Sequence, residues 1–197
     1  SEMCIRDRFS EKEEFKDFDY VLICIPYLQS KELSKELIDF TKIVVEPSYD
    51  PIHTVMLSYK DNNNIKIKAG LNLHKDISFF MNQNIKFNEL SNDCWVLNMS
   101  SEYTKNNIDI DKTELEKYAQ SIFEETFDIK NEISFIKSHR WLYAQTNLSY
   151  NAISKKNWIN SKDNKIFLSG DWVLGKSLSD AWDAGEKLSH YIKILSV

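Results

Sequence analysis

The residues with the clearest chemical meaning lie near the end of the chain. They read Ile166-Phe167-Leu168-Ser169-Gly170-Asp171-Trp172, then Gly175, then Ser177-Leu178-Ser179-Asp180-Ala181-Trp182 and Gly185. This order predicts a strand, a Gly-Asp corner, a short loop and a helix capped by Ser177. The corner puts a carboxylate at the carboxyl end of a strand. The loop aims free N–H groups at whatever sits above the helix N-terminus. Such an end carries roughly half a positive charge and favours anions or electron-rich carbonyls. Taken alone, Gly170-Asp171 is also ordinary turn chemistry.

Other chemistries find less support. His53, His74 and His190 have no partner at metal-ligand spacing. Cys4, Cys24 and Cys94 are far apart and odd in number, which suits neither a disulfide framework nor a zinc site. No metal is expected. Cys24 sits in an apolar run and reads as a small buried hydrophobe, and a reducing compartment fits best. No serine occupies a G-x-S-x-G elbow. The four glycines, Gly70, Gly170, Gly175 and Gly185, form neither G-x-G-x-x-G nor G-x-x-x-x-G-K-S/T. A complete nucleotide-binding domain within these 197 residues is thereby excluded.

The elements that must hold the corner can be read from periodicity. Asp19 to Pro26 is an apolar run ended by proline, the pattern of a strand buried on both faces. Ser30 caps an expected helix through Phe40, with Leu33 and Leu37 inward. Lys42 to Val45 is a short strand candidate. Thr54 to Tyr59 alternates, with Val55, Leu57 and Tyr59 on one face, and pairs as a hairpin with Ile65 to Lys68 across Asp61-Asn62-Asn63-Asn64. Ile77 to Met81 and Cys94 to Met99 are further strands. Asp111 to Phe127 is the clearest helix, with Asp111 and Glu114 at capping-box spacing and Leu115, Tyr118, Ala119, Ile122 and Phe123 as its stripe. Strands are expected at Glu132 to Lys137, Trp141 to Gln145 and Lys165 to Ser169. The last helix, Leu178 to Leu195, shows Leu178, Ala181, Trp182, Leu188, Ile192 and Leu195 as its apolar side. The outer pieces read as α/β and the middle as an α+β insert with an antiparallel sheet. Residues 1–10 read as non-native or disordered.

The closing segment resembles the C-terminal flavin-contacting motif of FAD-dependent amine oxidoreductases, most closely the renalase-like branch. Phe18-Asp19-Tyr20-Val21-Leu22-Ile23-Cys24-Ile25-Pro26 looks like that family's late strand. Tyr49-Asp50-Pro51 before Val55-Met56-Leu57 is similar to the entry to its substrate lobe. His139-Arg140-Trp141-Leu142-Tyr143-Ala144 looks like its H-R-W-x-Y-A return strand. The resemblance runs from Phe18 to the C-terminus.

It implies a partial FAD-binding Rossmann-type domain at 11–50 and 160–197, with a substrate-binding lobe inserted at 51–159. FAD would be contacted by Gly170, Asp171, Trp172, Leu178, Ser179 and Ala181. Asp171 would bond the ribityl or pyrophosphate region, and the backbone at Leu178 and Ser179 would face the flavin pyrimidine edge. Gly185 would let the last helix pack closely. Tyr59 and Trp141 are candidate substrate-pocket residues, although period-2 packing also places both toward a core. His139 beside Arg140 reads as a structural pair holding two lobes together rather than as a catalytic group, and no catalytic residue is assigned. The implied reaction is hydride transfer to flavin from an amine or a dihydronicotinamide-like ring, with oxygen as acceptor. The glycine-rich fingerprint of the family is absent, so a missing N-terminal FAD-binding segment is an expected partner, and the chain alone is expected to bind FAD weakly or not at all.

A second possibility is a non-catalytic α+β binding module whose Gly-Asp-Trp turn is structural. The net charge of -5 argues against a nucleic-acid surface. No apolar run reaches bilayer length, so no membrane partner is expected. No signal peptide is read, which leaves Asn98-Met99-Ser100 and Asn147-Leu148-Ser149 unglycosylated in an expected cytoplasmic location.

Overall fold

The apolar run at Asp19 to Pro26 forms a strand only over Val21–Ile23. The computed structural model describes residues 18–43, 46–87, 90–147 and 157–196. Residues 1–10, Val44 and Val45 therefore lie outside the described residues. In chain order the elements are β1 (Val21–Ile23), α1 (Tyr27–Ser34), β2 (Ser48–Tyr59), β3 (Ala69–His74), β4 (Ile77–Asn82), β5 (Asp93–Met99), α2 (Ser101–Asn106), α3 (Lys112–Phe127), β6 (Ile133–Asn147), β7 (Ile159–Asn160), β8 (Ile166–Leu168), α4 (Asp171–Leu174) and α5 (Leu178–Leu195). The chain divides into two compact units, Ser1–Val45 with Asn151–Val197, and Glu46–Tyr150.

In the first unit, β1 runs parallel to β8, with Val21, Leu22 and Ile23 opposite Ile166, Phe167 and Leu168. β7 adds an antiparallel third strand, giving the order β1-β8-β7. The expectation that β1 is buried on both faces is not met. Val21 and Leu22 are about half exposed and Cys24 is exposed, because β1 is an edge strand with one partner. The helix after Pro26 also differs. It spans Tyr27–Ser34 and turns Tyr27, Ser30 and Ser34 inward, while Leu33 and Leu37 are exposed. The inward stripe is Tyr27, Ser30 and Ser34 at i, i+3 and i+7, and Leu37 lies beyond the end of the helix. The Ser30 hydroxyl donates to the Ile25 carbonyl (2.9 Å), so it works inside the helix and not as its cap. Lys42 closes a short 3-10 turn, Phe40–Lys42, in place of the expected strand start.

α5 has the expected bounds and a reciprocal cap between Ser177 and Asp180. Its inward residues are Ala184 and Leu188, with Tyr191 meeting Phe167 of β8 at 6.1 Å between ring centroids. The Tyr20 hydroxyl donates to the Leu195 carbonyl (3.3 Å), which keeps the helix beside the β1–β8 pair. The expected apolar side is corrected at its start. Leu178 is 89% and Trp182 75% exposed, because the inward face is set by Ala184, Leu188 and Tyr191, one step round the helix. Gly185 does not pack closely either; an added Cβ would meet nothing within 4 Å.

The second unit is an antiparallel sheet in the order β3-β4-β5-β2-β6. The expected hairpin between Thr54–Tyr59 and Ile65–Lys68 does not form. Ile65 is buried in a connection, and β2 pairs instead with β5 and β6. The two strands expected at Glu132–Lys137 and Trp141–Gln145 are one continuous strand, β6. α3 is capped by Asp111, whose carboxylate accepts the N–H groups of Thr113 (2.9 Å) and Glu114 (3.2 Å). Its stripe of Leu115, Ala119 and Phe123 packs on Val55, Leu57, Tyr59, Trp95 and Leu97, as the alternation of β2 requires. α2, capped by Ser100, and the short β7 have too few periodic residues to be seen in the sequence. Among the described residues, no helix is long and apolar enough to cross a membrane.

Candidate functional site

β8 ends at Leu168, and Ser169 donates its N–H to the Ile23 carbonyl (3.2 Å), so both parallel strands finish beside the Gly-Asp corner. Open parallel sheets bind ligands outside these carboxyl ends. Gly170 has φ 159° and ψ -177°, a region held almost only by glycine. A Cβ there would lie 2.7 Å from Trp172 Nε1. The chain then makes a single helical turn, α4, which the sequence reads only as a corner. Asp171 opens this turn, partly buried, and its carbonyl accepts the Gly175 N–H at 2.8 Å.

Trp172 is fully buried. Its Nε1 donates to the Ile25 carbonyl (3.0 Å) and its ring lies edge-on to Tyr27 at 5.2 Å. Its indole therefore fixes the corner to the end of β1. Ser169 Oγ is buried and has no hydrogen-bond partner among the described residues.

Seven residues on, α5 begins. The Asp180 carboxylate accepts the N–H groups of Lys176 (3.0 Å) and Ser177 (2.8 Å) and the Ser177 hydroxyl proton (2.6 Å). The Ser177 hydroxyl, followed by these N–H groups, holds the Asp180 carboxyl below the usual range. Gly175 leaves the space this carboxylate fills. The Ala181 N–H is bonded to the Ser177 carbonyl (3.2 Å). The N–H groups of Leu178 and Ser179 keep no partner among the described residues, and both residues are exposed. Gly170, Asp171, Leu178, Ser179 and Ala181 thus lie on one short run at one end of the small sheet.

Tyr59 and Trp141 do not form a pocket. Tyr59 is fully buried in the core, and its hydroxyl donates to Glu124 Oε1 (3.3 Å). Burial and the Glu124 carboxylate push its phenol well above the ordinary range. Trp141 is 53% exposed and stands opposite Ile52, whereas Tyr59 stands opposite Ile133. The two side chains are on opposite faces and about 20 Å apart along β2. Arg140 donates from Nη1 to the Ile108 carbonyl (2.7 Å) and to Asp109 (2.8 Å), both in its own unit. His139 meets the Trp141 ring edge-on at 4.3 Å. A hollow of about 470 Å³ between Glu36–Asp39 and Ser161–Asp163 is lined by none of the expected site residues.

No protein-family model matches the chain. Its fold is found in two solved oxidoreductases. The first is an oxidoreductase from Methanosarcina mazei, 14% identical, with a TM-score of 0.54 over 86% of this chain and 42% of that one. The second is a "putative protoporphyrinogen oxidase" from Exiguobacterium sp. 255-15, 15% identical, with a TM-score of 0.54 over 89% of this chain and 41% of that one. At these identities the likeness is one of fold. The chain spans about two fifths of the length of either structure.

Proposed function

We propose that the chain is the substrate lobe and C-terminal cofactor-contacting part of an FAD-dependent oxidoreductase of amine-oxidase, renalase-like type. The observation that carries this is the Ser169-Gly170-Asp171 corner at the carboxyl ends of the parallel pair β1 and β8, with α5 starting just beyond it. The fold shared with two oxidoreductases agrees with it.

The residues at the corner fit a flavin dinucleotide. Ser169 Oγ is a buried hydroxyl in need of a partner, and Leu178 and Ser179 offer N–H donors where the macrodipole of α5 favours negative charge. Asp171 accepts hydroxyl protons of the ribityl chain. Gly170 lets the chain turn over Trp172, which holds the corner rigid from behind. A bound FAD would supply the hydride acceptor for an amine or dihydronicotinamide-like substrate, with oxygen as the final electron acceptor. The N–H donors at the start of α5 would face the flavin and favour negative charge on it without reorganising. A preceding glycine-rich segment completes the FAD site, and the protein works in the cytoplasm.

The test is the visible spectrum of the protein expressed with the residues that precede this chain in its reading frame. Release of FAD on denaturation supports the proposal. A colourless protein that releases none favours a non-catalytic binding module.

A further inference from the structure

The second unit has two unlike faces. One carries α3 and the aromatic core. The other follows from register alone. Leu71 stands beside Phe79, Phe79 beside Asn98, Asn98 beside Thr54, and Thr54 beside His139. In the next row, Met81, Val96, Met56 and Lys137 are neighbours. Leu71 is 74% exposed, and Met56 and Trp141 are exposed on the same side. An apolar stripe therefore crosses the sheet and ends at two nitrogen-bearing side chains on β6.

The polar side chains in these two rows are Asn98, Thr54, His139 and Lys137. The Thr54 hydroxyl spends its proton on Asn98 Oδ1 (2.8 Å), which turns the amide so that Nδ2 has no acceptor among the described residues. His139 and Asn98 flank Thr54, about 10 Å apart across two strand spacings. Lys137 makes no ion pair among the described residues and lies two residues from His139 on β6, on the same face. Neither the row through Thr54 nor the row through Met56 holds Asp or Glu.

We infer that this outer face takes its substrate as an amphipathic organic carboxylate, with the carboxylate over Thr54 between Asn98, His139 and Lys137, and a flat apolar body along Met56, Val96 and Met81. The inference rests on the sheet's role as the substrate lobe. It favours an anion over a simple amine cation.

Three probes of one shape test it on the chain itself: naphthoate, naphthylmethanol and naphthylmethylammonium, titrated by calorimetry. Naphthoate should bind about tenfold more tightly than the ammonium probe, and Lys137→Glu should remove most of that preference, since a few exposed charge contacts sum to this size. His139→Gln should weaken naphthoate without changing naphthylmethanol. Equal binding of the two charged probes, tighter binding of the cation, no binding of any probe, or indifference to Lys137→Glu overturns the inference. Flavin content is measured separately, so the flavin assignment and the anion preference stand or fall independently.

Discussion

Gly170 and Trp172 act as one device. The glycine conformation lets the chain turn over an indole that is bonded back to Ile25. Gly170→Ala should destabilise the first unit by about 1–3 kcal/mol, because the backbone becomes strained and the new methyl meets the indole. Urea titration followed by tryptophan fluorescence reads this directly. The two tryptophans of the closing segment should behave oppositely. Trp172→Ala should cost about 3–5 kcal/mol, while Trp182→Ala, on an exposed surface, should change stability by less than about 0.5 kcal/mol. Residue types alone favour burial for both. What separates them is the phase of α5, which is set by the contacts of Ala184, Leu188 and Tyr191 with the small sheet and is not encoded in the apolar spacing of the helix itself.

At the scale of elements, the caps of the two long helices were legible, whereas the Ser30 cap and the strand partners were not. Asp111 and Ser177 mark the starts of α3 and α5, since a side-chain oxygen that accepts first-turn N–H groups is a local signal. The alternation at Val55, Leu57 and Tyr59 likewise gave the buried face of β2. Strand pairing was not legible. β2 has two long neighbours, so the short turn at Asp61 to Asn64 could not identify either, and β6 hides its continuity behind the polar stretch Lys137 to Arg140. Ser177→Ala should cost about 1 kcal/mol of stability, measured by thermal or urea unfolding.

A second element-level contact links α3 to the β3–β4 hairpin. The Tyr118 hydroxyl donates to Asp76 at 2.6 Å, which, with burial, pushes its phenol up to about 12 from an ordinary value of 10.0. The folded state therefore holds this proton more tightly than the unfolded state. Its stabilising effect is full below pH 10 and is lost as pH rises from there through 12. Unfolding midpoints taken across that window should fall with pH, and Tyr118→Phe should flatten the fall. An unchanged slope in the variant would remove Tyr118 as its cause.

For the whole molecule, the α/β and α+β characters of the two units were visible from the order of elements, because a proline-ended apolar run and a late strand–helix pair bracket a stretch of alternating residues. The exposure of β1 was not visible. An apolar run reports the burial a strand can use, and Val21 and Leu22 find one neighbour strand here. Val21, Leu22, Ile25, Leu33 and Leu37 are exposed on the first unit. On the proposed reading, a preceding glycine-rich segment completes the flavin site. The chain without that segment should hold little or no flavin.

The corner at Asp171 is tested most directly by titrating FAD into the protein expressed with its preceding residues, wild type against Asp171→Ala. Expected is about one flavin per wild-type protein and at least about tenfold weaker binding in the variant, the size of a lost hydrogen bond to a charged group. A wild-type protein that takes up no flavin, or a variant that binds it as tightly as wild type, would contradict the cofactor role given to this corner.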